Sequence, residues 1–471
     1  MMKNQGLRLV TPKVVPPLDV NFRPAVLACQ CFQAEVAAQK EPIPVRLAIE
    51  QTDGSIIHHK THVLQESHPL AEGNFLFLER LIKFLLWSRG GFRIHVEGPE
   101  CLVGQLQNYY LHNPCGQFDA DIMGRKIYGQ DFQIVPTSKI PAEKSSTTPL
   151  GRHLDGCRIG FDLGGSDRKV AAVIDGKCVF SEETVWNPIS QSDPDYHYAG
   201  IMDSLCKAAA HLPKVDAIGG SAAGVYVNNR VKVASLFRGI SAELFKTKIE
   251  NIFLNIQQKW NNIPFEVAND GEVTALAGAM ALNDNSVLGL AFGTSTAGGY
   301  VNADGNITSW LNELAFVPVD YQPGAAVDEW SGDYGCGVQY FSQQAVNRLL
   351  QAAKIDIDPT LPVPEKLQFV QELMTHGDSR ARQIYETLGT YLGYQVAHFT
   401  TFYEMKHLLI LGRVTSGEGG NIIIAQAKKV LQSEFPDLAE KLAIHMPSEH
   451  EKRHGQAVAA ASLPSINHRQ H

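Results

Sequence analysis

Apolar positions along the chain fall into two rhythms, short runs that end in Gly, Asp or Asn and longer stretches that repeat every three or four residues. From Phe161 to Phe180 the sequence reads FDLGGSDRKVAAVIDGKCVF, an apolar run that ends in Asp-Gly-Gly and then resumes. The phosphate loops of the P-loop and dinucleotide folds need a helix directly after their glycines, and no helix signal follows here. Val170 to Ile174 is instead a β-branched run, and Asp175-Gly176 is a type I′ turn dipeptide, so the pattern predicts a β-hairpin. Downstream it predicts a helix near 197–211, a strand over 214–221, a helix over 241–258 and a strand over 264–268. With the strand over 158–163 these make a mixed α/β unit.

A second unit repeats the first. Leu288 to Thr308, LGLAFGTSTAGGYVNADGNIT, is again a strand, a loop of small residues, a strand and an Asp-Gly turn. The spacing from Gly164 to Gly293 equals that from Asp175 to Asp304, which implies duplicated lobes facing each other. After Gln339 helical periodicity dominates through 339–353, 363–376 and 379–405. The apolar run Lys406 to Gly412 then breaks into RVTSGEGGN, followed by a helix over 421–434. Such a strand, glycine loop and helix can approach a nucleotide closely.

Residues 137–156, rich in Ser, Thr, Pro and Gly, read as a linker. Before it, Val45 to Leu64 is a strand, an Asp-Gly turn and a strand. An apolar helical stretch near 74–88 and the strand 92–98 follow. This repeats the order of 169–221 without an Asp-Gly-Gly loop. The expected division is an N-terminal α+β domain over 1–140, a linker over 141–156, lobes over 157–285 and 286–450, and a C-terminal segment over 451–471.

Composition narrows the function classes. The 471 residues exceed one ordinary core, and 44% hydrophobic with 19% charged residues suits a globular protein. A net charge of -8 argues against a nucleic-acid partner, whose phosphates need a basic face. The apolar runs fall short of a membrane span, and the N-terminus carries no signal-peptide pattern. Eight cysteines without framework spacing fit a reduced cytoplasm. Cys29 and Cys31 form the one close pair, with no second pair to complete a metal site.

Two loops with exposed backbone N–H groups, one from each lobe, can close on a triphosphate from two sides. Each hairpin alone reads equally as a tight turn, whereas the pair favours phosphate. Asp162, at the end of the first strand, can hold Mg²⁺ directly or through water. Ser166 and Thr294 add hydroxyl donors. In Phe265 to Met280, FEVANDGEVTALAGAM, a strand delivers Asn269 and Asp270 to the start of a helix of small residues. Asp270 there reads equally as a helix cap or as a general base for a substrate hydroxyl.

The ordered set DLGGS (162–166), GGSAAGVYVNNRV (219–231), VANDG (267–271), GTSTAGG (293–299), NELAFVPVD (312–320) and GCGVQYFSQQAV (335–346) resembles the ROK family of sugar kinases and sugar-responsive repressors, within the actin and hexokinase superfamily. The resemblance covers about residues 158–435. It implies a first phosphate motif at Asp162, Gly164, Gly165 and Ser166 and a second at Gly293, Thr294, Ser295 and Thr296. Gly412 to Gly417 would lie beside adenosine, Asp270 would be the catalytic base, and Asn269 and Glu313 would bind sugar hydroxyls. Departures accompany it. Phe316 stands where the family has a histidine that binds zinc and sugar, and Glu329 and Ser331 replace cysteines. Cys336 alone of four zinc ligands remains, too few for a tetrahedral site. Leu236 and Val338 replace polar sugar contacts, which implies an altered, more apolar pocket.

The expected fold is thus α/β, with duplicated actin/hexokinase-like (ribonuclease H-like) lobes plus an N-terminal α+β domain. The expected function is ATP- and Mg²⁺-dependent phosphorylation of a sugar hydroxyl. The alternative is a catalytically silent sugar- or nucleotide-binding regulator. A repressor would carry a winged helix over 1–140, where neither a helix-turn-helix pattern nor a basic face is evident. That region is expected to be a degenerate partial lobe that acts as a scaffold or homodimerisation element.

Overall fold

The computed structural model describes residues 6–145, 150–446 and 449–466. Residues 146–149 of the expected linker and 467–471 of the expected C-terminal segment lie outside the described residues. The chain is mixed α/β, as the alternating periodicities predict, and is built on three principal sheets.

The N-terminal sheet comprises β1 (Ile43–Glu50), β2 (Ile56–Val63), β3 (Arg93–Glu97) and β4 (Gln133–Pro136), in the order β2-β1-β3-β4. Strand β1 is antiparallel to both β2 and β3, and β4 is parallel to β3. Helix Gly73–Arg89 is almost entirely buried, because its neighbours include the second lobe as well as its own sheet.

The first lobe comprises β5 (Cys157–Leu163), β6 (Asp167–Ile174), β7 (Lys177–Val185), β8 (Ala217–Ala222) and a separate hairpin, β9 (Val225–Val227) with β10 (Arg230–Val233). Strand β11 (Phe265–Asn269) completes a sheet in the order β11-β8-β5-β6-β7. Asp175 and Gly176, at φ 46° and 77°, make the left-handed turn that the Asp-Gly dipeptide favours between β6 and β7. The helix expected over 241–258 is broken. The Glu250 carbonyl accepts from the Val231 amide of β10 (3.0 Å), and the regular helix resumes at Ile252.

The second lobe comprises β12 (Val287–Phe292), β13 (Thr296–Val301), β14 (His407–Leu411) and β15 (Ala443–His445), in the order β13-β12-β14-β15. Strand directions match those of β6-β5-β8-β11, so the two lobes repeat a four-strand core. Deleting β5 from the first-lobe sheet leaves β7-β6-β8-β11, whose neighbours and directions are those of the N-terminal sheet.

Helix Glu449–Ala461 leaves the second lobe and packs on β5 and β8 of the first. Glycines make the approach possible. A Cβ on Gly160 would lie 1.8 Å from the Ala457 carbonyl oxygen, and one on Gly219 would lie 1.7 Å from that of Ala460.

Candidate active site

Strand β5 ends at Asp162 and Leu163, and the chain turns through Gly164, Gly165 and Ser166 into β6. Gly165 and Ser166 are exposed, whereas the Gly164 amide donates to the Asp167 carbonyl (2.9 Å) and closes the turn. The second lobe repeats the arrangement. Thr294 and Ser295 are exposed, and the Gly293 amide donates to the Ser295 carbonyl (3.0 Å). The exposed amides of both loops can therefore meet phosphate oxygens without breaking a strand ladder. Thr296 faces inward, its hydroxyl donating to the Phe341 carbonyl (3.0 Å), so it supports the loop from beneath.

The third glycine loop adjoins the second. Gly412 has φ 103°, and a Cβ there would lie 2.4 Å from the carbonyl oxygen of Phe292, the residue before Gly293. Gly417, at φ 67°, opens helix Glu418–Glu434, and a Cβ there would meet open space. Gly412 thus lets this loop pack against the end of β12, and Gly417 leaves the helix start open.

Asp162 is 6% exposed. Its Oδ1 accepts from Ser221 Oγ (2.7 Å) and Gln456 Nε2 (3.2 Å), and its Oδ2 lies 3.9 Å from Lys169 Nζ. Lys169 also pairs with Asp167 (3.0 Å). Burial pushes the Asp162 carboxyl up to about 6. Its Oδ2 forms no close hydrogen bond among the described residues.

Strand β11 hands over to helix Asp270–Leu282 at the site's centre. Asn269 is the N-cap, its Oδ1 accepting from the Gly271 amide (2.8 Å) and its Nδ2 donating to the Gly224 carbonyl (2.7 Å). Among the described residues no second acceptor meets this Nδ2. Asp270 is the first helical residue, with Oδ1 2.9 Å from the Gly271 amide. Burial raises its carboxyl above the ordinary range. Glu313 lies close enough to feel the Asp270 charge, and burial followed by that charge pushes it up to about 7.

Glu272, which was not singled out in the sequence, joins this group. Burial pushes it up to about 8, against a hydrogen bond from Asn312 Nδ2 (3.5 Å). An acidic residue in the first turn reads as an ordinary complement to the helix dipole, which conceals it in the sequence. Ser221 and Gln456 carry no local signal either. They meet Asp162 because β8 pairs with β5 and the last helix crosses both.

Glu272 and Asn269 line a cavity of about 280 Å³. Its walls come from β9–β10, the segment 307–311 and the N-terminal domain.

The three apolar replacements do not line that cavity. Leu236, Phe316 and Val338 are 1%, 7% and 8% exposed and belong to the packed cores. Phe316 stacks on Trp87 of the N-terminal domain with ring centroids 4.0 Å apart.

An ionic cluster occupies the region of the cysteine-poor loop. Asp333 Oδ2 forms ion pairs with Arg80 Nη2 (3.0 Å) and Lys83 Nζ (3.0 Å), and Lys83 also pairs with Asp119 (3.0 Å). All four side chains are buried. Burial works to raise Asp333, and the two cations outweigh it and hold the carboxyl well below its usual range.

No family model matches the chain, and no curated protein has a significant sequence match. Solved structures do match its fold. A ROK hexokinase from Thermus thermophilus is 17% identical with a TM-score of 0.50, over 64% of this chain and 97% of its own. A ROK family transcriptional regulator, a homolog of the E. coli MLC protein, is 18% identical with a TM-score of 0.53, over 66% of this chain and 78% of its own. With two hairpin loops, a strand-end aspartate and duplicated sheets in the same order, the chain has the fold of these ROK proteins.

Proposed function

We propose that the protein transfers the γ-phosphoryl group of ATP to a hydroxyl of a sugar or sugar derivative, with Asp270 as general base. The observation that carries this reading is the placement of Asp270. It is a half-buried carboxylate at a strand-to-helix junction, near enough to Glu313 for their charges to interact, in a fold that also presents two exposed hairpin loops. A carboxylate raised by burial is a stronger base than a free one, which suits proton removal from a hydroxyl. Glu313 and the free hydrogen of Asn269 would orient the acceptor. Gly164, Gly165, Ser166, Gly293, Thr294 and Ser295 would hold the phosphates, with Gly412 and Gly417 beside adenosine. Mg²⁺, held through water at Asp162, would neutralise phosphate charge as transfer proceeds.

A second reading has its own support. The regulator among the structural matches and the loss of Leu236, Phe316 and Val338 to the core favour a sensor that binds sugar without phosphorylating it. ADP release from ATP and Mg²⁺, measured across a panel of sugars, separates the two. The kinase reading expects sugar-dependent release for at least one sugar. Sugar binding with no release for any would establish the sensor.

We propose further that residues 1–140 are a lobe that lacks the strand equivalent to β5, and with it the phosphate loop that follows that strand. The N-terminal unit then serves as a scaffold on the second lobe.

A further inference from the structure

Helix Gly73–Arg89 of the N-terminal domain ends against the segment that carries Glu313. A helix leaves its last four carbonyls without partners of its own. Here the Leu86 carbonyl accepts from the Gly90 amide (2.8 Å), and the other three accept from consecutive amides of the second lobe. Leu311 donates to Arg89 (3.3 Å), Asn312 to Ser88 (3.0 Å) and Glu313 to Trp87 (2.9 Å). Two side chains fasten the junction. Gln51 Nε2, from the turn after β1, donates to the carbonyls of Arg89 (2.7 Å) and Ser309 (3.3 Å). The Arg89 guanidinium lies 3.4 Å from the ring centre of Trp310 and 4.5 Å from that of Tyr403, and it donates to the Phe402 carbonyl.

The backbone beside Glu313 is closely specified. Asn312 is 1% exposed at φ 51°, a left-handed conformation that its short amide tolerates. Its Oδ1 accepts from the Tyr403 hydroxyl (2.9 Å), and its Nδ2 reaches the Trp310 carbonyl (3.3 Å) and Glu272 Oε1 (3.5 Å). The N-terminal helix, the second lobe and helix Asp270–Leu282 therefore meet at this one residue. The Glu313 carboxyl itself is half-buried and faces two like groups, Asp270 and Glu272, whose ionised forms repel its own. A carboxyl in such company stays there only where its backbone is held. Arg89 is 5% exposed and forms no ion pair among the described residues. Burying a cation without an anion costs stability. What this cation secures is the pair of rings that flank the Glu313 segment.

We infer that the N-terminal domain sets the place of Glu313 relative to Asp270, with Arg89 and Gln51 as positioning residues that act through the backbone of 309–313. The inference rests on the reading above for what Glu313 does with substrate, but its test needs neither sugar nor turnover. Glu313→Gln in the full-length protein should flatten the fall of stability between about pH 5 and 8, read by denaturant melts, because the carboxyl that keeps its proton in the fold is gone. In Arg89→Met and Gln51→Met backgrounds Glu313 is free to turn to solvent. There the same substitution should flatten the slope by less than about half as much. Hydrogen exchange of peptides covering 309–313 should quicken at least about tenfold in both backgrounds, with peptides of β5 and β8 unchanged. Should Arg89→Met fail to fold, Gln51→Met carries both readouts. No flattening in the wild type, or a flattening of full size in a folded background, would overturn the inference. Exchange that quickens equally throughout the chain would also overturn it, since that is the mark of a merely structural role. Absence of sugar-dependent ADP release by the wild type would remove the kinase reading and leave the positioning of Glu313 intact.

Discussion

Burial decides the behaviour of the acidic side chains near the site. Asp162, Glu272 and Glu313 are all raised by desolvation, to about 6, 8 and 7, while no ion pair is formed by Glu272 or Glu313 among the described residues. The folded chain therefore keeps protons that the unfolded chain gives up in the ordinary carboxylate range. Through these three groups the folded state binds more protons than the unfolded one between about pH 5 and 8, so their contribution to stability falls as pH rises through this window. Glu272→Gln should reduce that fall by up to about 1 kcal/mol per pH unit, measured by denaturant melts at several pH values. A slope identical to wild type would show that Glu272 is not the protonated group. The sequence placed Asp162 and Asp270 at strand ends because their strands and small-residue helix have clear local periodicity. Ser221, Glu272 and Gln456 were illegible because their roles come from sheet pairing and from a helix contributed by the far end of the chain.

Elements carry the duplication, and here the sequence was most informative. The Asp-Gly-Gly and Gly-Thr-Ser loops at equal spacing predicted two hairpins, and both occupy the same place in matching sheets. What local pattern could not show was the return of helix Glu449–Ala461 to the first lobe, since its docking depends on glycines in β5 and β8. Gly219→Ala would drive a methyl into the Ala460 carbonyl oxygen and should cost about 1–3 kcal/mol, with the C-terminal helix becoming the first site of limited proteolysis. Wild-type proteolysis and Tm in this variant would mean that the helix contributes little to the lobe.

At the scale of the whole molecule the N-terminal domain is joined to the second lobe by the Arg80, Lys83, Asp119 and Asp333 cluster and by Trp87 on Phe316. Lys83→Met leaves two buried carboxylates short of a cation and should cost about 3–5 kcal/mol in unfolding free energy. A change under about 1 kcal/mol would place the cohesion in the apolar contacts instead. Loops on separate lobes also imply a cleft that shuts to keep water from the γ-phosphate. Small-angle scattering should give a smaller radius of gyration with nucleotide and sugar together than with nucleotide alone, and superimposable curves would count against closure. The central claim, phosphoryl transfer with Asp270 as base, is tested most directly by Asp270→Asn. This variant removes a proton acceptor and touches no phosphate. Sugar-dependent ADP release should fall by about 10² to 10⁴-fold while ATP affinity, measured calorimetrically, stays near wild type. Turnover close to wild type in Asp270→Asn would contradict the account.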